Sequence, residues 1–280
     1  MVDLHVHSNK SDGTFTPSEL VTMAIKKNLT ALALTDHDTT DGLEELANAA
    51  AGKPLAVVPG IELSTEYEGK DIHIVGLFID PTQSDFRAHL KAFVKSRDDR
   101  NRKMCANLQE AGIPISYEAL QEANPGSVIT RAHYGTWLLE HGVVSSVADA
   151  FSKYLGDHTP YFVPREKVTP QQAVSLTQKA GGLAILAHPI LYRMSRERLD
   201  ILVHRLKEVG LTGIEAIYAT YNSREENQIR QLASKYDLLL SGGSDFHGFA
   251  KPKLELGTGY GHLCVPDEVY FSLKKEHEKM

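Results

Sequence analysis

Two hydrophobic periods alternate along this chain, and the point where they change divides it. Residues 2–6 form a short apolar run at strand spacing that carries His5 and leads into His7. Residues 17–27 repeat their apolar positions at helical spacing. Thr16 is placed to cap that helix, with Pro17 at its first position and Glu19 at its third. Residues 31–35 read as a buried strand, 42–51 as a helix and 55–58 as a third strand. A Pro59-Gly60 break then precedes 61–64, and a turn around Gly69 precedes a strand over 72–79. From Pro81 to about Pro170 helical periodicity takes over, with helices expected at 85–111, 116–123, 131–141 and 146–154. Alternation then resumes: helix 170–180, strand 182–187, helix 195–209, strand 212–217, helix 222–236 and strand 237–241. Repeated βα units imply an α/β fold with a parallel sheet covered by helices, interrupted by a helical insertion. No internal repeat or low-complexity linker is visible.

Composition narrows the function classes. The chain has 280 residues, 42% of them hydrophobic, which supports a sizeable core. No apolar run approaches the roughly 20 residues of a membrane span. No basic segment followed by an apolar one marks a secretory signal, so neither a membrane nor a secreted protein is expected. Cys105 and Cys264 are too few for a disulfide framework or a thiolate metal site, and they fit a reducing cytoplasm. A net charge of −6 argues against gripping long nucleic acid by many phosphates. Small anionic substrates remain open, because bound cations can supply positive charge locally.

Thirteen histidines is a high count, and their placement gives it meaning. His5 and His7, two apart on a strand, share one face. Asp12 follows in a turn made by Ser11, Asp12 and Gly13. Imidazoles and carboxylates are the ligand types of zinc, manganese and iron. His7, His37, Glu62, His188, Asp245 and His247 all fall at or just after predicted strand ends. In a β/α barrel that rim carries the active site. Closed strands would bring these scattered residues to one mouth, whereas an open sheet would leave some far apart.

The motifs HVH (5–7), Asp12-Gly13, TDHD (35–38), PGIE (59–62), His73 on its strand, AHP (187–189) and SDFH (244–247) occur in the order found in the polymerase and histidinol phosphatase (PHP) superfamily, which this chain resembles. The helical insertion and TRAHY (130–134) are most similar to its 3′,5′-nucleoside bisphosphate phosphatase branch. The resemblance implies a distorted (β/α)7 barrel from residues 1–80 and 170–280, with 81–169 inserted as a helical substrate or lid domain. It also implies three divalent metal ions, manganese before zinc or iron. His5, His7, Glu62 and Asp245 would hold one. Asp12, His37 and His247 would hold the second and carry the catalytic step. A bridging Glu62, with His73 and His188, would hold the third. A metal lowers the pKa of bound water from about 15.7 to near 7. A hydroxide between two metals could then attack phosphorus. Arg131 and His133 are expected to contact substrate, the planar arginine fork matching a second phosphate.

The implied reaction removes the 3′-phosphate of a small nucleoside 3′,5′-bisphosphate and leaves the 5′-monophosphate. One alternative is a 5′→3′ exoribonuclease on short 5′-phosphorylated oligonucleotides. The other, not an enzyme, is a barrel that senses metal and phosphate. The expected partner is a small phosphorylated nucleotide, or short RNA ends, with no protein partner and no membrane.

Plainer expectations attach to other residues. Asp38 and Asp41 are expected to cap the helix near residue 42. The basic run 91–103, interrupted by Asp98 and Asp99, is expected to be a solvated helix face, with an RNA-backbone guide as its alternative. Gly242-Gly243 lacks the lysine of a phosphate loop and is expected to let the backbone turn tightly. His89, His141, His158, His204, His262 and His277 fit no motif.

Overall fold

A computed structural model describes residues 1–164 and 168–280. Its strands are β1 (Val2–Asp3), β2 (Ala31–Leu34), β3 (Ala56–Tyr67), β4 (Lys70–Leu77), β5 (Leu183–Leu186), β6 (Gly213–Tyr218) and β7 (Leu239–Gly243), which pair in chain order. The seam between β7 and β1 closes the sheet into a barrel. There the Leu4 N–H donates to Gly242 (3.2 Å), the His7 N–H to Phe246 (3.0 Å) and the Asp245 N–H to the His5 carbonyl (2.9 Å). Gly243 is needed for this approach, since a Cβ there would lie 2.5 Å from the His5 Cβ. The two glycines thus sit inside β7 to admit a neighbouring strand, not to make the turn expected of them.

The all-parallel sheet expected from repeated βα units gives way at β4. β3 pairs antiparallel with β4, and β4 with β5, while the other ladders are parallel. Only Glu68 and Gly69, both at positive φ, connect β3 to β4. A two-residue link can only reverse the chain, because a parallel return needs a crossover of roughly a dozen residues. The Pro59-Gly60 break is absorbed into one continuous strand. Glu62 therefore lies within β3, opposite Val75, and not just past a strand end. It still reaches the barrel mouth because β2 stops at Leu34, where His37 takes over as its bridge partner.

The helices are α1 (Pro17–Lys26), α2 (Leu43–Ala50), α3 (Ser84–Glu110), α4 (Tyr117–Ala123), α5 (Arg131–Glu140), α6 (Val147–Ala150), α7 (Pro170–Lys179), α8 (Arg196–Glu208), α9 (Ser223–Lys235) and α10 (Asp267–His277). α1 carries the Thr16/Glu19 capping box with Pro17 in its first turn. α6 runs into a π turn over Phe151–Leu155. α10 has no counterpart in the sequence pattern. Val269, Tyr270 and Leu273 are its buried residues, and Pro266 gives it no side-chain cap, so its signal is weak.

Two apolar cores result. The barrel core includes Phe86, Leu90 and Phe93 from the first half of α3. The second is built from Met104, Cys105 and Leu108 in the other half of α3, packed against Ile115, Leu120, Tyr134 and Leu138. α3, about 40 Å long at 1.5 Å per residue, belongs to both. Residues 165–167 of the expected insertion lie outside the described residues. No described helix is long and apolar enough to cross a membrane.

Candidate metal centre

The barrel mouth gathers His5, His7, Asp12, His37, Glu62, His73, His188, Asp245 and His247. Glu62 lies at the middle. Its Oε2 is 3.2 Å from His5 Nε2, 3.2 Å from His7 Nε2 and 3.1 Å from His37 Nδ1. Its Oε1 is 2.8 Å from His73 Nδ1 and 3.0 Å from His188 Nε2. Asp12 Oδ1 is 3.2 Å from His247 Nε2, and Asp245 Oδ1 is 3.3 Å from His7 Nε2. Ligand atoms fall into four overlapping sets, each within 4.8 Å: His7, Asp12, His37 and His247; His5, His7 and Asp245; His5, Glu62 and His188; His37, Glu62 and His73. His73 and His188 flank one Glu62 oxygen but belong to different sets.

The donor chemistry fits cations. His5 Nε2, His7 Nε2, His37 Nδ1 and Asp12 Oδ1 are buried without a hydrogen-bond partner, although each lies near other ligand atoms. An unsatisfied buried polar group costs about 1–3 kcal/mol. Several of them aimed into one space are relieved together by a bound ion. Burial alone would push the carboxyls of Asp12, Glu62 and Asp245 up. The imidazoles around Asp12 and Glu62 hold both well below the usual range, and Lys251, His247 and His5 do the same for Asp245. Burial opposes charging His7, yet Asp245 and Glu62 raise it to about 9. Against the same burial, Glu215, Glu62 and Asp245 raise His5 well above the ordinary histidine value. For His37 burial prevails and its pKa falls. Without metal the centre therefore holds protons that a cation would replace.

An outer layer orients these groups. Glu215 on β6 lies 3.1 Å from His5 Nδ1 and accepts the His188 N–H (2.8 Å). Asp36 accepts the Ser8 N–H (2.8 Å) and the hydroxyls of Ser8 and Ser11 (both 2.6 Å), which shapes the turn leading to Asp12. Tyr218 donates to Asp245 Oδ2 (2.6 Å), and Lys251 binds the same oxygen. His188 and Asp245 adopt φ of 27° and 56°, where few non-glycine residues sit. Motif spacing does not reveal Glu215, Tyr218 or Lys251. The available signal for Glu215 is a lone acid in the apolar strand Gly213–Tyr218.

A cavity of about 260 Å³ opens over the cluster, lined by Asp12, His37, His73 and His247 from the barrel and by Arg97, Arg100 and Arg131 from α3 and α5. Arg97 and Arg100 are 3% and 5% exposed, so the basic run is not simply a solvated face. Positions 97, 100, 101 and 104 share the buried side of α3, which covers the mouth. Arg97 donates through Nε (2.9 Å) and Nη2 (2.7 Å) to Asp38 Oδ2, and from Nη2 to Ser64 Oγ (2.7 Å). Asp38 also accepts the Ser64 N–H (2.9 Å). It is thus a buried anchor for α3 and not a helix cap. The N-cap position of α2 is Gly42, which has no side chain to cap the helix, and neither Asp38 nor Asp41 occupies it.

Arg131 reaches the cavity. It pairs with Asp71 on β4 and donates to the Leu155 carbonyl (3.1 Å). His133 is buried and not among the residues that line the cavity, with Nδ1 accepting the Thr130 N–H (3.0 Å) in the α5 capping box.

The PHP domain profile matches residues 3–156. The chain is 36% identical over 272 residues to the 3′,5′-nucleoside bisphosphate phosphatase of Chromobacterium violaceum, covering 95% of this chain and 94% of that one. It is 38% identical over 255 residues to a 5′-3′ exoribonuclease of Haemophilus influenzae, covering 91% and 92%. A Bifidobacterium adolescentis structure assigned as a metal-dependent phosphoesterase superposes with a TM-score of 0.84 at 28% identity, covering 97% and 94%. Matched by the family profile over more than half its length, and by these relatives over nearly all of it, the chain belongs to the PHP domain family and is a metal-dependent hydrolase acting on phosphoric esters.

Proposed function

We propose that this protein removes the 3′-phosphate from nucleoside 3′,5′-bisphosphates in the cytoplasm, using three divalent ions with manganese preferred. The observation that carries this reading is the composition of the cavity. Metal-type donors of the barrel and guanidinium groups of the helical layer line the same space, so a substrate with two phosphates would find partners for both. In this reading His5, His7, Glu62 and Asp245 hold one ion. Asp12, His37 and His247 hold the second, and Glu62, His73 and His188 the third. The bound ions would supply a hydroxide at neutral pH and neutralise phosphoryl oxygens.

The chain's own groups do the rest. Glu215 beside His5 Nδ1 leaves Nε2 facing the cluster, and the Asp245 carbonyl beside His247 Nδ1 (2.8 Å) does the same for that ring. Arg131, fixed by Asp71, offers its fork to the phosphate that is not cleaved. Segment 81–169 serves as the substrate-side lid.

A second reading, 5′→3′ exoribonuclease on short 5′-phosphorylated RNA, uses the same centre with a longer leaving group, and the Haemophilus relative supports it. Phosphate release from adenosine 3′,5′-bisphosphate, measured beside 5′-AMP and a short 5′-phosphorylated RNA with manganese, separates the two. Strong preference for the bisphosphate is expected. Faster stepwise release of mononucleotides from RNA would move the assignment to nuclease.

A further inference from the structure

Asp12 differs from the other carboxylates of the centre in what holds it. Tyr218, the last residue of β6, and Lys251, which follows β7, bind Asp245, and five imidazoles of the mouth surround Glu62. Asp12 Oδ2 instead accepts the hydroxyl of Thr130 (2.8 Å), at the start of α5. Thr130 is 4% exposed. It caps α5, and its Oγ1 already accepts the Ala132 N–H (3.2 Å). A hydroxyl has one proton, and here it goes to Asp12. Asp12 Oδ1 is left with no hydrogen-bond partner, facing His247 Nε2 at 3.2 Å.

Neighbouring bonds fasten the same two segments together. Ser127 Oγ donates to the Asn9 carbonyl (2.6 Å), and the Val128 N–H donates to the Lys10 carbonyl (2.9 Å). Residues 127–130 therefore dock along the turn that delivers Asp12, and Thr130 stands one residue before Arg131, which lines the cavity.

We infer that Thr130 is a positioning residue: its hydroxyl immobilises Asp12 Oδ2, turns Oδ1 toward the ion held with His37 and His247, and so sets the affinity for that ion. The inference rests on the proposed role of Asp12 as a metal ligand. It makes the helical layer a contributor to metal binding as well as to substrate choice.

The test titrates the chelator-stripped, full-length protein with Mn2+ alone, following ion content by equilibrium dialysis and heat by calorimetry. Asp12→Asn identifies the ion that depends on Asp12. Thr130→Val is expected to weaken that same ion about 10-fold or more, the usual cost of losing an outer-layer partner, and to spare the others. Thr130→Ser keeps the hydroxyl and is expected to retain near wild-type affinity. Thr130→Gly is the second variant if valine disturbs folding, since glycine costs a helix cap only a few tenths of a kcal/mol. It should weaken the ion as valine does. Thr169→Val removes the equivalent capping hydroxyl from α7 and should leave Mn2+ affinity unchanged. Wild-type affinity in both Thr130→Val and Thr130→Gly would overturn the inference, as would an equal loss in Thr169→Val. No ion lost in Asp12→Asn would instead refute the metal assignment of Asp12, and the inference with it.

Discussion

The two walls of the cavity are built on opposite rules. The barrel wall takes its chemistry from strand ends, as imidazoles and carboxylates buried at the mouth and braced by Glu215, Asp36 and Tyr218. The helical wall takes its chemistry from α3 and α5, as guanidinium groups and one hydroxyl, supported largely by a second apolar core. One wall is suited to cations and the other to anions. A phosphate ester bound with metal presents both needs at once, and the site exists only where the two cores meet.

The largest effect is expected from the barrel wall. Glu62→Gln removes the charge that five imidazoles surround, and it should cut phosphate release about 10³-fold, roughly 4 kcal/mol, with loss of bound metal. Full activity with full metal content would break the division of labour between the walls.

Next comes the tie between them. Arg97→Met leaves the buried Asp38 carboxylate without the guanidinium that joins α3 to the barrel, and should cost about 3–5 kcal/mol in chemical denaturation. An unchanged melt would show that the walls hold together by apolar packing alone.

A smaller, pH-dependent effect belongs to the barrel seam. Asp3 is fully buried and accepts the N–H groups of Ser244 (2.8 Å) and Gly257 (2.7 Å). Burial outweighs these bonds and pushes its carboxyl from 3.8 up to about 6. Because the folded value lies above the unfolded one, the contribution is fully present below the unfolded pKa and is lost as pH rises through about 6. The loss is at most about 3 kcal/mol. Between about pH 4 and 7 the metal-free wild type should therefore lose stability relative to Asp3→Asn. A constant difference across that range counts against it.

The smallest effect tests the anion wall. Arg131→Ala should raise KM for a nucleoside 3′,5′-bisphosphate about 10-fold, or 1.4 kcal/mol, and affect a phosphate monoester far less. Equal losses on both substrates would remove Arg131 as the selector of the second phosphate.

The site was more legible in the sequence than the layers that hold it. His5 and His7, or Asp245 and His247, sit two apart in motifs whose chemistry shows at short range. Asp38 was misread because a polar residue shortly before a helix ordinarily caps it. Its actual partner, Arg97, is 59 positions away and comes from α3. The basic run on α3 was misread for a similar reason, since only the placement of the helix over the mouth buries Arg97 and Arg100. Thr130 stood in TRAHY without a role of its own, because a threonine before a helix looks the same whether or not its proton reaches a carboxylate.

By itself the sequence determined the alternation of strands and helices and the donor types at the strand ends. These follow from hydrophobic period and from which side chains bind metals, and both are local. Only the tertiary structure decided that β4 runs antiparallel, that Glu62 works from mid-strand, that Glu215 and Asp36 brace the centre and that α5 reaches Asp12. Each of these depends on closing the barrel and seating a second core upon it, which brings together residues far apart in the chain.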